Sequence, residues 1–184
     1  RLYREGTLVA EDMEKAVFHL KRAADAGNSY AQYQLGKIYL EEDTRNIPAA
    51  IQYLTLAAKQ KNEFAAYRLG KLYLAGEELP KNTELALHYL KMAADTGNQY
   101  AQYALGKVYL IGKDVQQDKE LAYDYFLKSA EQGNIYAAYF LEHWNDMPHP
   151  DLFLMATRLM RHLEHIMGEN VSGRKSGGSR QGID

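Results

Sequence analysis

Ala31-Gln32-Tyr33-Gln34-Leu35-Gly36-Lys37-Ile38-Tyr39-Leu40 places Ala, Leu and Tyr four residues apart, at Ala31, Leu35 and Tyr39. That spacing is one stripe of an α-helix and cannot be one face of a strand, whose side chains alternate. The stretch returns from Ala65 to Leu74, from Ala101 to Leu110, and in degraded form from Ala137 to Trp144, so that successive starts are 34, 36 and 36 residues apart. A near-constant period of this length marks a solenoid in which each unit is one supersecondary element.

The intervening stretches repeat as well. Ala16, Leu20 and Ala24 recur as Ala50, Leu54 and Ala58, as Ala86, Leu90 and Ala94, and as Ala122, Phe126 and Ala130. Four residues before each leading alanine stands Asp12, Asn46, Asn82 or Asp118, the residue types whose side-chain oxygen satisfies an orphan N–H at a helix start. Each unit therefore holds a first helix and a second helix. The second helices are expected to end at Gly27, Gly97 and Gly133, each followed by Asn; the second unit has Lys61-Asn62 instead. The 34-residue interval reflects a deletion in the loop joining its first helix to its second, since Glu42 to Asn46 is shorter than Gly76 to Asn82. Gly36, Gly70 and Gly106 sit inside the first helices, where glycine costs ~1 kcal/mol; close approach of the second helix would offset that.

This pattern resembles the Sel-one-like repeat, a relative of the tetratricopeptide repeat, over about residues 1 to 144. The resemblance implies an all-α fold, a right-handed α-solenoid of antiparallel helix pairs, and a role as an adaptor in protein assemblies. The solenoid is expected over 1–147, a capping helix over 148–167 and a flexible basic tail or linker over 168–184. Arg1-Leu2-Tyr3 matches Lys37-Ile38-Tyr39 one period later, so the chain is expected to begin in the last turn of a first helix, as a piece of a longer protein whose earliest second helix is partly exposed. At the other end Glu142 replaces the packing glycine, and Pro148 and Pro150 stop helix continuation. Asp151 then caps a stripe of Leu152, Ala156, Leu159, Leu163 and Ile166, with Phe153, Met160 and Met167 as a second one.

Composition narrows the function. The net charge of −2 supplies no global basic field for phosphate backbones. Cysteine is absent, which removes disulfides, thiolate metal sites and thiol nucleophiles. No apolar run reaches the roughly 18–20 residues a membrane span needs, and a soluble, cytoplasmic chain is the expectation. No phosphate-binding glycine loop, zinc-protease helix or serine elbow occurs, so no enzyme, cofactor or metal is expected. His162 and His165 have a chelating spacing without further ligands beside them and read as surface residues.

Laying the tetratricopeptide pattern on the first helix turns Tyr33 and Lys37 toward the concave groove, and the same pair returns as Tyr67 with Lys71, Tyr103 with Lys107, and Tyr139 with His143. Tyr30, Phe64, Tyr100 and Tyr136 flank them. Rigid aromatics give contact area at low entropy cost, and a row of ammonium groups selects carboxylates. The expected partner is a protein or peptide bearing Asp, Glu or a free C-terminus. The competing reading makes the tyrosines gap-fillers between stacked helices and the lysines solubilising surface residues. Arg158, Arg161, Arg174, Lys175 and Arg180 make the C-terminal region locally basic, and Ala156-Thr157-Arg158-Leu159-Met160 with the following tail is similar to C-terminal regions of mobilisation relaxases from Gram-positive conjugative elements. That likeness implies a non-catalytic adaptor region of a DNA-processing protein, touching DNA indirectly or through its tail; a relaxase's histidine triad and nucleophilic tyrosine motif have no match here.

Overall fold

The computed structural model describes residues 15–146. Within them α1 covers 15–25, followed by α2 (Ser29–Ile38), α3 (Ile47–Lys59), α4 (Glu63–Ala75), α5 (Thr83–Asp95), α6 (Gln99–Ile111), α7 (Lys119–Glu131) and α8 (Ile135–Glu142), with single 3-10 turns at Glu42–Thr44 and Trp144–Asp146. No strand occurs among the described residues. Packing runs in chain order from α2 to α7, each helix lying against the next, and α2 also touches α4. The fold is an all-α solenoid of helix pairs. The chain divides into two units at Leu141 and Glu142. Asp12 and the expected capping helix and tail, including His162, His165 and the basic cluster, lie outside the described residues.

Caps decide where helices start. Asn46, Asn82 and Asp118 accept from the N–H three residues on, at 3.1, 2.9 and 2.9 Å, opening α3, α5 and α7. The asparagines after the glycines do more than sequence spacing announces. Asn28, Asn62, Asn98 and Asn134 accept from the N–H groups of Ala31, Ala65, Ala101 and Ala137 and so open the first helices. Their own N–H groups close the preceding helices on the carbonyls of Ala23, Ala57, Ala93 and Ser129, while Gly27, Lys61, Gly97 and Gly133 donate to Ala24, Ala58, Ala94 and Ala130. This pair of bonds is the Schellman termination, and it requires a left-handed residue before the asparagine.

Three of those left-handed residues are glycines, and the fourth is Lys61 at φ 62°. A side chain there costs roughly 1–2 kcal/mol, partly offset in the unfolded chain where glycine is freer. Lys61→Gly is expected to stabilise by about 0.5–1 kcal/mol in urea unfolding; a loss of stability would show that the lysine side chain makes a compensating contact.

The core lies between the two helices of each repeat and the pair that follows. Leu35, Leu54, Leu69, Leu90, Leu105 and Phe126 are fully buried, among small residues at Ala50, Ala57, Ala65, Ala86, Ala93, Ala101 and Ala122. A Cβ on Gly36 would stand 2.5 Å from Leu54 Cγ, one on Gly70 2.6 Å from Leu90 Cγ, and one on Gly106 2.8 Å from Phe126 Cε1. Real carbons do not approach so closely, so the second helix lies where only glycine lets it.

The shortened repeat differs from expectation in one respect. Asn46 N–H donates to Tyr39 O as Asn82 does to Tyr73 O and Asp118 to Tyr109 O, which places the two missing residues between Tyr39 and Asn46. Part of the loss falls on the helix: α2 has 10 residues where α4 and α6 have 13. Left-handed Gly76 and Gly112 end the longer helices. The α2 end lacks such a glycine, and Thr44 Oγ1 donates instead to Ile38 O.

Candidate functional site

The first helices α2, α4, α6 and α8 each present an aromatic residue near the start and another one turn later. The stack joins them in pairs across repeats: Tyr33 to Phe64 at 6.0 Å, Tyr67 to Tyr100 at 6.1 Å and Tyr103 to Tyr136 at 6.1 Å between ring centroids, tilted by 37°, 37° and 40°. Such tilted pairs contribute about 0.5–1.5 kcal/mol beyond the area they bury. Phe64 and Tyr100 thus serve as inter-repeat contacts while still showing surface, at 47% and 50% exposure, and Tyr30 is 65% exposed.

Lys37 Nζ sits 5.7 Å from the Tyr33 ring centroid and Lys107 Nζ 5.1 Å from that of Tyr103, each one turn along its own helix. The ring face draws the half-buried ammonium, by roughly 0.5–1 kcal/mol or more, and holds it beside the aromatic row. Lys71 and Tyr67 occupy the same helical positions on α4 and are exposed and half-buried respectively. Tyr103 is different from its equivalents: it is only 6% exposed, with its ring against Phe126, Tyr136 and Phe140, so it offers a partner little surface. Tyr139 is half-buried on α8, and His143, in the second unit, is half-buried too.

Carboxylates are unevenly spread, while cations such as Lys59, Lys91, Lys119 and Lys128 stand on the second helices as well. The helices α2, α4 and α6 carry Lys37, Arg68, Lys71 and Lys107 with Glu63 as their one carboxylate, whereas acidic residues collect on the second helices and loops, at Glu84, Asp95, Glu120, Asp124 and Glu131. The loop carboxylates Glu78 and Asp114 are engaged by the preceding loop, through Arg45 and through Lys81 at 2.6 Å. Exposed pairs of this kind contribute ~0–1 kcal/mol each and chiefly fix the register between neighbouring loops.

Two features escaped sequence spacing. A second ladder joins the two helices of each repeat, with Tyr39 on Tyr53, Tyr73 on Tyr89 and Tyr109 on Tyr125 stacked at 6.0 Å. Burial pushes the hydroxyls of Tyr53, Tyr73 and Tyr125 above the usual tyrosine range, and a hydrogen bond with Tyr109 raises Lys91. The other feature is a partly buried amide bridge: Gln32 donates to Ala24 O and accepts from Gln60, and Gln102 donates to Ala94 O and accepts from Gln132. The intervening repeat has Ala66 and Thr96 at these two places, so both partners are present or both absent, a signal that the repeats compared with one another do contain.

An open cavity of about 370 Å³ lies elsewhere, lined by Leu87, Tyr109, Val115, Gln116, Gln117 and Asp118. Among the described residues no group of three His, Asp or Glu could hold a metal, and no helix is long and apolar enough to cross a membrane.

Comparison with known proteins agrees with this architecture. The chain is similar to a Sel1 repeat protein from Oxalobacter formigenes, at 36% identity and TM-score 0.64, over 69% of this chain and 97% of that one. It is also similar to c5321, a protective antigen of uropathogenic Escherichia coli with an SLR fold, at 34% identity and TM-score 0.62, over 68% of this chain but 29% of the antigen. Helicobacter pylori cysteine rich protein B shares the fold, at 22% identity and TM-score 0.57, over 70% of this chain and 94% of that one. None of the curated proteins matches. Sel1 repeat proteins are in general protein-interaction scaffolds, typically helical repeats without catalysis. The Sel1 repeat family model matches residues 1–28, 29–62, 64–98 and 99–134, and the chain belongs to that family.

Proposed function

We propose that this chain holds a protein or peptide partner along the row of first helices, the face that the tetratricopeptide pattern makes concave, with Tyr30, Tyr33, Lys37, Tyr67, Lys71, Tyr100, Tyr103, Lys107 and Tyr139 as the contact set. The observation that carries the reading is the alternation of ring and ammonium from repeat to repeat, with Lys37 and Lys107 lying over Tyr33 and Tyr103. The repeats of α2, α4 and α6 each offer an aromatic surface and a lysine, and the near absence of carboxylates from these helices favours an acidic partner or a free C-terminal carboxylate. Within the set Tyr30, Tyr67, Tyr100, Lys37, Lys71 and Lys107 present the accessible surface, and Tyr103 supports them from beneath.

The measurement is titration of acidic peptides into the chain and into a Lys37→Ala/Lys71→Ala/Lys107→Ala variant. Each lost charge contact is worth ~0.5–1 kcal/mol at such a surface, so the variant should bind at least about tenfold more weakly, and salt should weaken the parent more than the variant. Equal affinity for both proteins would leave the lysines as solubilising residues and the tyrosines as packing.

A further inference from the structure

The row of first helices is not equally open along its length, and the difference singles out α4. On α2 and α6 the lysines Lys37 and Lys107 are half-buried and lie over the rings of Tyr33 and Tyr103. On α4 both Arg68 and Lys71 are exposed, with exposed Phe64 one turn before Arg68. Residues three and four apart are neighbours on a helix surface, so Phe64, Tyr67, Arg68 and Lys71 share one face.

Arg68 is the one arginine on α2, α4, α6 and α8; the equivalent positions hold Gln34, Ala104 and Phe140. The other arginines among the described residues are engaged, Arg22 over the Phe18 ring and Arg45 with Glu78. Arg68 makes no hydrogen bond, ion pair or ring contact among the described residues, so its donors are left for a ligand. The planar fork of a guanidinium meets both oxygens of one carboxylate, which the point charge of an ammonium cannot match.

The aromatic row continues to both sides of α4, through Tyr33 against Phe64 toward α2 and through Tyr67 against Tyr100 toward α6. A peptide that uses both flanks has to run on past Arg68 in each direction. The carboxylate that meets the guanidinium then comes from a side chain inside the peptide and not from its end.

We propose that Arg68 is the specificity-determining residue of this face, taking both oxygens of an Asp or Glu side chain within a bound peptide. This rests on the acidic-partner reading above and adds to the lysine row a central anchor that the row itself does not contain.

The test is fluorescence anisotropy of the whole chain with a labelled Glu-rich peptide whose C-terminus is amidated, the same peptide with Gln for every Glu, and the Gln peptide with a free C-terminus. Arg68→Ala is expected to weaken the Glu peptide about tenfold and Arg68→Lys about threefold, against less than about fivefold for Lys37→Ala or Lys107→Ala alone. Lys113→Ala, which removes an exposed charge from the loop after α6, should change affinity by less than about twofold. The thermal midpoint of Arg68→Ala should stay within about 2 °C of the parent, since no described contact is lost. If Arg68→Ala binds like Lys113→Ala while the Lys37/Lys71/Lys107 triple alanine variant binds weakly, the arginine is overturned and the acidic groove stands. Full affinity in Arg68→Lys would overturn recognition by the guanidinium fork, and equal losses for the Glu and Gln peptides would overturn the carboxylate. Tighter binding of the free-ended Gln peptide than of the amidated Glu peptide would move the contact to the chain end and overturn the internal side chain. Binding that is absent throughout, or unchanged in every variant, would remove both the anchor and the groove.

Discussion

Gly70→Val should lower the midpoint of thermal unfolding by roughly 6–12 °C. The new side chain would begin with a carbon 2.6 Å from Leu90 Cγ and 3.1 Å from Leu90 N, so both the leucine and the backbone of α5 must shift. Overpacking of this kind costs about 1–3 kcal/mol, and the backbone contact places the expected loss near the top of that range. Better helix propensity returns only a few tenths of a kcal/mol. About 3 kcal/mol at 2–4 °C each gives the stated shift for a chain of this size. Ala75→Val, at the exposed end of the same helix, is the control and should move the midpoint little. A midpoint for Gly70→Val within about 2 °C of the parent would mean that the two helices are not held as closely as described.

Phe126→Ala should be the most damaging truncation in the last full repeat, costing about 3–5 kcal/mol in urea unfolding with an unchanged denaturant slope. Phe126 is fully buried, stacked on Phe140 at 4.7 Å and 7°, beside Tyr103 and over Gly106. Phe126→Leu should cost only about 1–1.5 kcal/mol, since Leu54 and Leu90 fill the same place over Gly36 and Gly70. If leucine costs as much as alanine, the ring stack and not the filled volume supplies the stability. Because Tyr103 leans on Phe126, the alanine variant should also disturb the third aromatic pair of the first-helix row.

What could be read from the residues, and what could not, follows from how far apart the interacting groups are in the chain. The helices, their caps at Asn46, Asn82 and Asp118 and the close approach at Gly36, Gly70 and Gly106 are consequences of spacing within one repeat, and a repeated sequence states such spacing several times. The asparagines after the glycines were visible, but their second duty as the opening caps of the first helices emerges only when the end of one helix and the start of the next share a residue. The ring pairs and the Gln32–Gln60 and Gln102–Gln132 bridges join residues about 30 positions apart, and no local period reports which of two tyrosines faces a neighbouring repeat. Tyr103 shows the limit well. Its position in the repeat equals that of Tyr33 and Tyr67, yet Phe126, aromatic where earlier repeats have leucine, and Phe140, at the place of Ala104, close over it.

The aromatic row has a valence that is not the number of helices contributing to it. Every ring pair draws one member from each of two neighbouring repeats, so the four helices α2, α4, α6 and α8 make three such pairs among the described residues. Deleting an internal repeat removes one seat and fuses its neighbours into a new one, whereas detaching a terminal repeat leaves an orphan half. Either change leaves one seat fewer, and the internal deletion differs in that its remaining seats are complete only where the rings meeting at the new junction fit.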